Sequence, residues 1–88
     1  MSSMLGQIPE EVDALAGDFD AKASDLDGVV SALTAKLGGT TWTGSDRTRF
    51  EGDWNSTLST NLRNASQALR DAAQTARDNA QQQRDASA

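Results

Sequence analysis

The sequence predicts an all-α chain, an antiparallel helix-turn-helix hairpin that dimerises into a four-helix bundle. Three observations carry this prediction. Apolar residues recur at steps of three and four in two long stretches, a glycine-rich segment separates those stretches, and the apolar content is low for a small chain that folds alone. Val, Ile, Leu and Phe number 14 of 88 residues, about 16 per cent, under the roughly 20 per cent at which disorder becomes a serious alternative. A chain so placed either stays loose or gains buried area from a partner. Two helices side by side cover only part of two apolar stripes, whereas four helices crossing near 20° cover them.

Residues 1–8 read as a flexible N-terminal segment. The first helix is predicted over 9–37, where Val12, Leu15, Phe19, Leu26, Val29, Val30, Leu33 and Leu37 form one stripe, with Ala16 and Ala23 within it. Pro9 suits the first helical position, Glu10, Glu11 and Asp13 suit the positive helix start, and Lys36 before Gly38-Gly39 suits the end. Residues 38–45 form the turn, in which Thr43 and Asp46 have the spacing of a capping box. A second helix is predicted over 46–76 along Phe50, Trp54, Leu58, Leu62, Ala65, Leu69, Ala72 and Ala76, with Ala80 continuing the same face. Its side chains shrink from aromatic to leucine to alanine, so residues 77–88 read as a tail, partly helical or disordered.

The C-terminal third repeats every seven residues: Arg63, Arg70, Arg77 and Arg84, with Gln67, Gln74 and Gln81. A sustained heptad implies supercoiling against a neighbour. Residues 1–44 hold seven acids and two lysines, whereas 45–88 hold six acids and six arginines. Folding back at about residue 41 brings Asp20 near Arg63 and Asp13 near Arg70, as exposed pairs contributing roughly 0 to 1 kcal/mol each. The same fold-back leaves roughly the last 14 residues without a first-helix partner. The core shared between the two copies is expected to use Phe19, Leu26, Leu33, Phe50, Trp54, Leu58, Leu62 and Leu69.

Composition excludes several functions. The chain has no cysteine, histidine or tyrosine, so the usual transition-metal ligands and a serine-histidine-acid arrangement are missing, and neither a catalytic residue, a metal nor a cofactor is expected. No apolar run approaches the ~18 residues of a membrane span, and the first residues lack the features of a general signal peptide. No stable membrane insertion is expected. The arginine line has Asp71, Asp78 and Asp85 beside it and the chain carries a net charge of −5, which argues against nucleic acid as a partner.

At the turn stands Trp42-Thr43-Gly44, with Phe50 eight residues and Trp54 twelve residues after the first tryptophan. Glycine at that place lets the backbone turn tightly into the second helix, and tryptophan offers a large apolar area. This motif, between two amphipathic helices in a chain of this length, resembles the WXG family, the early secreted antigen-like hairpins of type VII (ESX) secretion. The resemblance covers nearly the whole chain. It implies a non-catalytic secreted substrate or carrier protein that is cytoplasmic before export and leaves without a cleaved signal peptide. It also implies a homodimer, or a heterodimer with a second WXG-type protein. Trp42 has two compatible roles, a ring that closes the end of the hairpin core and, as the resemblance implies, a docking surface for the partner's tail, with Gly44 making the turn. The family's export signal, read by the type VII secretion ATPase, is a tyrosine followed four residues later by an acid. Here Gln81 and Asp85 keep the spacing and the acid without the aromatic ring. Two other roles fit the same residues, an intracellular dimerising adaptor and a targeting partner for a larger secreted toxin.

Overall fold

In a computed structural model of the chain, which describes residues 8–87, two long helical arms lie antiparallel. Helix α1 spans Pro9–Gly39. The second arm runs without a break from α2 (Ser45–Asp53) through a π turn (Trp54–Leu58) into α3 (Ser59–Ser87). The molecule measures 65 × 17 × 14 Å and its radius of gyration is 19.4 Å, against about 12 Å for a compact domain of this length. It is a rod two helices wide.

The ends of α1 follow the local chemistry. Pro9 occupies the first turn, where its missing N–H is no loss, and Glu10 and Glu11 face the positive end of the helix. At the other end the Thr40 N–H donates to the Leu37 carbonyl at 3.2 Å and its hydroxyl to the Lys36 carbonyl at 2.6 Å. The helix therefore absorbs Gly38 and Gly39 before the chain turns extended at Thr40 (φ −84°, ψ 131°). Gly44 caps α2 with φ 110°, the one positive φ among the described residues, and no side chain caps that helix. The expected capping box at Thr43 is not formed. The chain enters α2 through glycine backbone, one residue after the threonine.

The arms meet along their smallest side chains. Ala16, Ala23 and Val30 of α1, and Ser66, Ala73 and Ala80 of α3, are at most 1% exposed, and Ser59 is 3% exposed. Each set is spaced by seven, so each forms a single line on its helix. Small residues on both lines let the backbones approach closely, and the Ser66 hydroxyl crosses to the Ala23 carbonyl at 3.1 Å. Phe19, Leu26, Leu62 and Leu69 flank this line, half-buried. The heptad Val12-Phe19-Leu26-Leu33 is thus the border of the contact, because larger side chains there would hold the helices apart.

Pairing of Ser66 with Ala23 centres the fold-back close to Gly44. The expected pairs Asp20–Arg63 and Asp13–Arg70 do not form. Asp27 meets Arg70 at 2.6 Å, Asp20 meets Arg77 at 2.7 Å, and Asp13 meets Arg84 at 2.6 Å. Two causes shift the register: α1 runs longer than expected, and helical side chains lean toward their own N-terminus, which carries each arginine toward the turn. The expected overhang shortens with it. Helix α3 continues through Ser87, Ala80 and Gln83 are buried, and Arg84 is held by Asp13, so the described part of the expected tail, 77–87, is helix that reaches back onto α1.

The π turn explains the placement of Trp54. The Ser59 N–H bonds to the Trp54 carbonyl five residues back, so Trp54 stands one wide turn before Ser59, on the side facing α1. In an unbroken α-helix a residue five positions earlier points about 140° away. Trp54 is 7% exposed, and its indole N–H donates to the Thr34 hydroxyl at 2.8 Å.

Candidate functional site

The turn is built around Arg47. Its side chain donates to the carbonyls of Thr40 at 3.2 Å and Trp42 at 3.0 Å and to the Glu51 carboxylate at 2.9 Å. One guanidinium thus ties the extended segment 40–42 to the first turns of α2. Trp42 is left 38% exposed beside Phe50, with ring centroids 5.6 Å apart and planes tilted by 48°. A cleft of about 260 Å³ opens between Leu33, Lys36 and Leu37 of α1 and Trp42, Phe50 and Trp54. The Trp42-Thr43-Gly44 motif supplies one aromatic wall and the backbone reversal that presents it.

A larger feature runs along the rod. On each helix, residues three and four places beyond the contact line flank it on opposite sides. The residues four places on are Asp13, Asp20 and Asp27 in α1 and Arg70, Arg77 and Arg84 in α3, and their ion pairs close one side of the rod. The residues three places on therefore share the other side: Phe19, Leu26 and Leu33 with Leu62 and Leu69. Leu33 among them is 48% exposed, and beyond them Leu15, Val29 and Leu58 are 42 to 50% exposed. One side of the hairpin is a ladder of charge, and the other is an apolar face with most of the large side chains of the chain. An apolar face of this kind on a small protein marks an interaction surface.

The residues expected in a shared core divide by position. Phe19, Leu26, Leu33, Leu58, Leu62 and Leu69 lie on the apolar face, Phe50 stands 43% exposed at the turn end, and Trp54 turns inward against Thr34. Of the inward line of Ser59, Ser66, Ala73 and Ala80, only Ala80 falls on the stripe read from the larger residues. The line's signal was present as a heptad of small residues in step with Ala16, Ala23 and Val30.

Ser66 anchors the polar side. Its hydroxyl donates to the Ala23 carbonyl and accepts from Arg70 at 2.6 Å, and Arg70 also holds Asp27. The neighbouring Ser66 hydroxyl, and after it the Arg70 guanidinium, hold the Asp27 carboxyl below its ordinary 3.8. Gln81 donates to Asp85 at 3.0 Å, but Gln67 with Asp71 and Gln74 with Asp78 make the same contact at 2.9 Å. The Gln81–Asp85 pair is the third copy of a repeated surface contact.

Among the described residues no group of three metal-ligating side chains comes together, and no helix is long and apolar enough to cross a membrane. No family model, curated protein or solved structure matches the chain.

Proposed function

We propose that the protein is a non-catalytic helical hairpin that works by binding other helices, and that it is a secreted substrate or carrier of a type VII-like secretion system. The observation that supports this reading is the division of apolar residues. The hairpin buries small side chains in its own seam and leaves leucine, valine and phenylalanine on one face. That face fits a second copy laid against it in a four-helix bundle. A second WXG-type chain with a similar face would fit as well. The exposed Trp42 at the turn, presented by Gly44, supports docking to a partner's tail or to the secretion ATPase.

The test is co-expression in the producing bacterium with and without the secretion ATPase. Release into the medium only with the ATPase is the expected result; equal release in both strains overturns the export role. Trp42→Ala separates the functions of the turn, since export lost from an intact dimer assigns Trp42 to docking.

One observation favours a second reading, an adaptor that stays in the cell. Gln81 and Asp85 make the same contact as two other pairs on the helix, so nothing in their geometry distinguishes them as a signal. A protein retained in the cytosol whatever the state of the secretion machinery, and co-purifying there with a helical partner, would establish that reading.

A further inference from the structure

The heptad that organises the hairpin also leaves its register ambiguous. Asp27, Asp20 and Asp13 now meet Arg70, Arg77 and Arg84. Moving α3 seven residues along α1, away from the turn, would bring Arg63, Arg70 and Arg77 to the same three aspartates. Three ion pairs are exchanged for three. The seam hardly opposes the move, because Ala16 and Ala23 follow one another at the same spacing as Ser66, Ala73 and Ala80. Ser66 would face Ala16 and donate to its carbonyl as it now does to that of Ala23.

Only the turn end breaks the repeat. Trp54 has no counterpart seven residues before it, where Arg47 stands, and its bond to Thr34 joins the second arm to α1 at a single place. Thr34 is itself fixed, its hydroxyl donating to the Val30 carbonyl at 2.8 Å. The π turn directs the indole there.

We propose that Trp54 is a register latch, and that the hairpin has a second register one heptad, about 10 Å, farther from the turn. Helix α2 supplies the slack. It contains no buried residue and lacks a side-chain cap, the slide gives up the bonds from Arg47 to Thr40, Trp42 and Glu51, and each residue that passes from helical to extended backbone adds about 2 Å, so about six residues cover the slide. The consequence appears at the opposite end of a 65 Å rod. Ala80, Gln83 and Arg84 would move about 10 Å outward, past Pro9. Opening the latch at the turn therefore displaces the C-terminal helix end. A one-step slide of packed helices between two discrete seatings gives a two-state element, and a ligand that draws Trp54 away from Thr34 shifts it.

The chain has no cysteine, so introduced pairs report register directly. Ala16→Cys with Ala73→Cys reports the observed register, and Ala16→Cys with Ser66→Cys reports the slid one. A disulfide needs Cα atoms within about 7 Å, and one heptad adds about 10 Å. Both pairs are oxidised in the full chain with Trp54 intact and with Trp54→Phe, which keeps a ring and removes the donor. Mass under non-reducing conditions separates closure within a chain from linkage between chains. The expected result is closure of the observed-register pair in both backgrounds and several-fold faster closure of the slid pair with Trp54→Phe, at unchanged helicity. Thr34→Val removes the acceptor from the other helix and is expected to give the same gain, so the proposal remains testable if Trp54→Phe loses helix. A slid pair that never closes, or that closes equally fast with the latch intact and opened, overturns the proposal.

Discussion

Replacing Ala73 by leucine should damage the hairpin far more than the same replacement at Ala65. Ala73 is 0% exposed, and the register places it opposite Ala16, also 0% exposed. Three extra carbons on that line have no flexible neighbour to displace, only the close backbone of α1. Overpacking of a filled site costs about 1 to 3 kcal/mol, and the upper half of that range applies where both facing residues are alanine. At about 4 to 8 °C per kcal/mol for a chain of this size, the loss lowers the melting temperature by roughly 10 to 20 °C. Ala65 is exposed beside the apolar face, so leucine there changes stability by less than about 0.5 kcal/mol or strengthens association. Alanine and leucine are both strong helix formers, so the contrast reads packing rather than propensity. The assay is thermal melting followed by circular dichroism at a fixed protein concentration. Equal melting of the two variants would refute the small-residue seam.

Gly44→Ala should destabilise by about 1 to 2 kcal/mol through backbone strain alone, since an added Cβ meets no atom within 4 Å while φ stands at 110°; denaturant unfolding with unchanged slope checks it. Arg47→Ala removes three hydrogen bonds from the turn and should cost about 1 kcal/mol, with faster proteolysis at residues 40–44 and unchanged helicity. The Asp27 carboxyl should titrate below 3.8 by NMR, and Ser66→Ala should bring it back toward that value. Because the folded-state pKa is lowered, the stabilisation is present above the unfolded value and lost as pH falls through the folded one. Asp27→Asn should therefore flatten the acid limb of the stability profile.

The two-arm architecture is legible in the sequence because a three-and-four period over almost thirty residues, bounded by Pro9 and Gly38-Gly39, has few alternatives. Which residues touch is less legible. Large apolar residues announce a stripe, yet two antiparallel helices meet most closely where side chains are smallest, so Ala23 and Ser66 define the seam and Leu26 and Leu69 its border. The register depends on where the fold-back centres, and one heptad looks like the next; only Trp54 and Thr34 single out a seating. The π turn has no composition of its own. It appears as the one place where the aromatic stripe of Phe50 and Trp54 falls out of step with the seam of Ser59 and Ser66. At the turn, Trp42 and Gly44 are recognisable from the motif, while the bonds from Arg47 that hold the turn have no spacing or composition that marks them in the sequence.

In the proposed four-helix bundle the apolar face is covered by another copy of the chain. The mass of the purified protein in solution, by sedimentation equilibrium over a range of concentrations, tests this most directly. A particle of twice 9.3 kDa, reduced to a single chain when Leu26 and Leu62 are both replaced by aspartate, is the predicted result. A fully helical particle of 9.3 kDa across the whole range would contradict it.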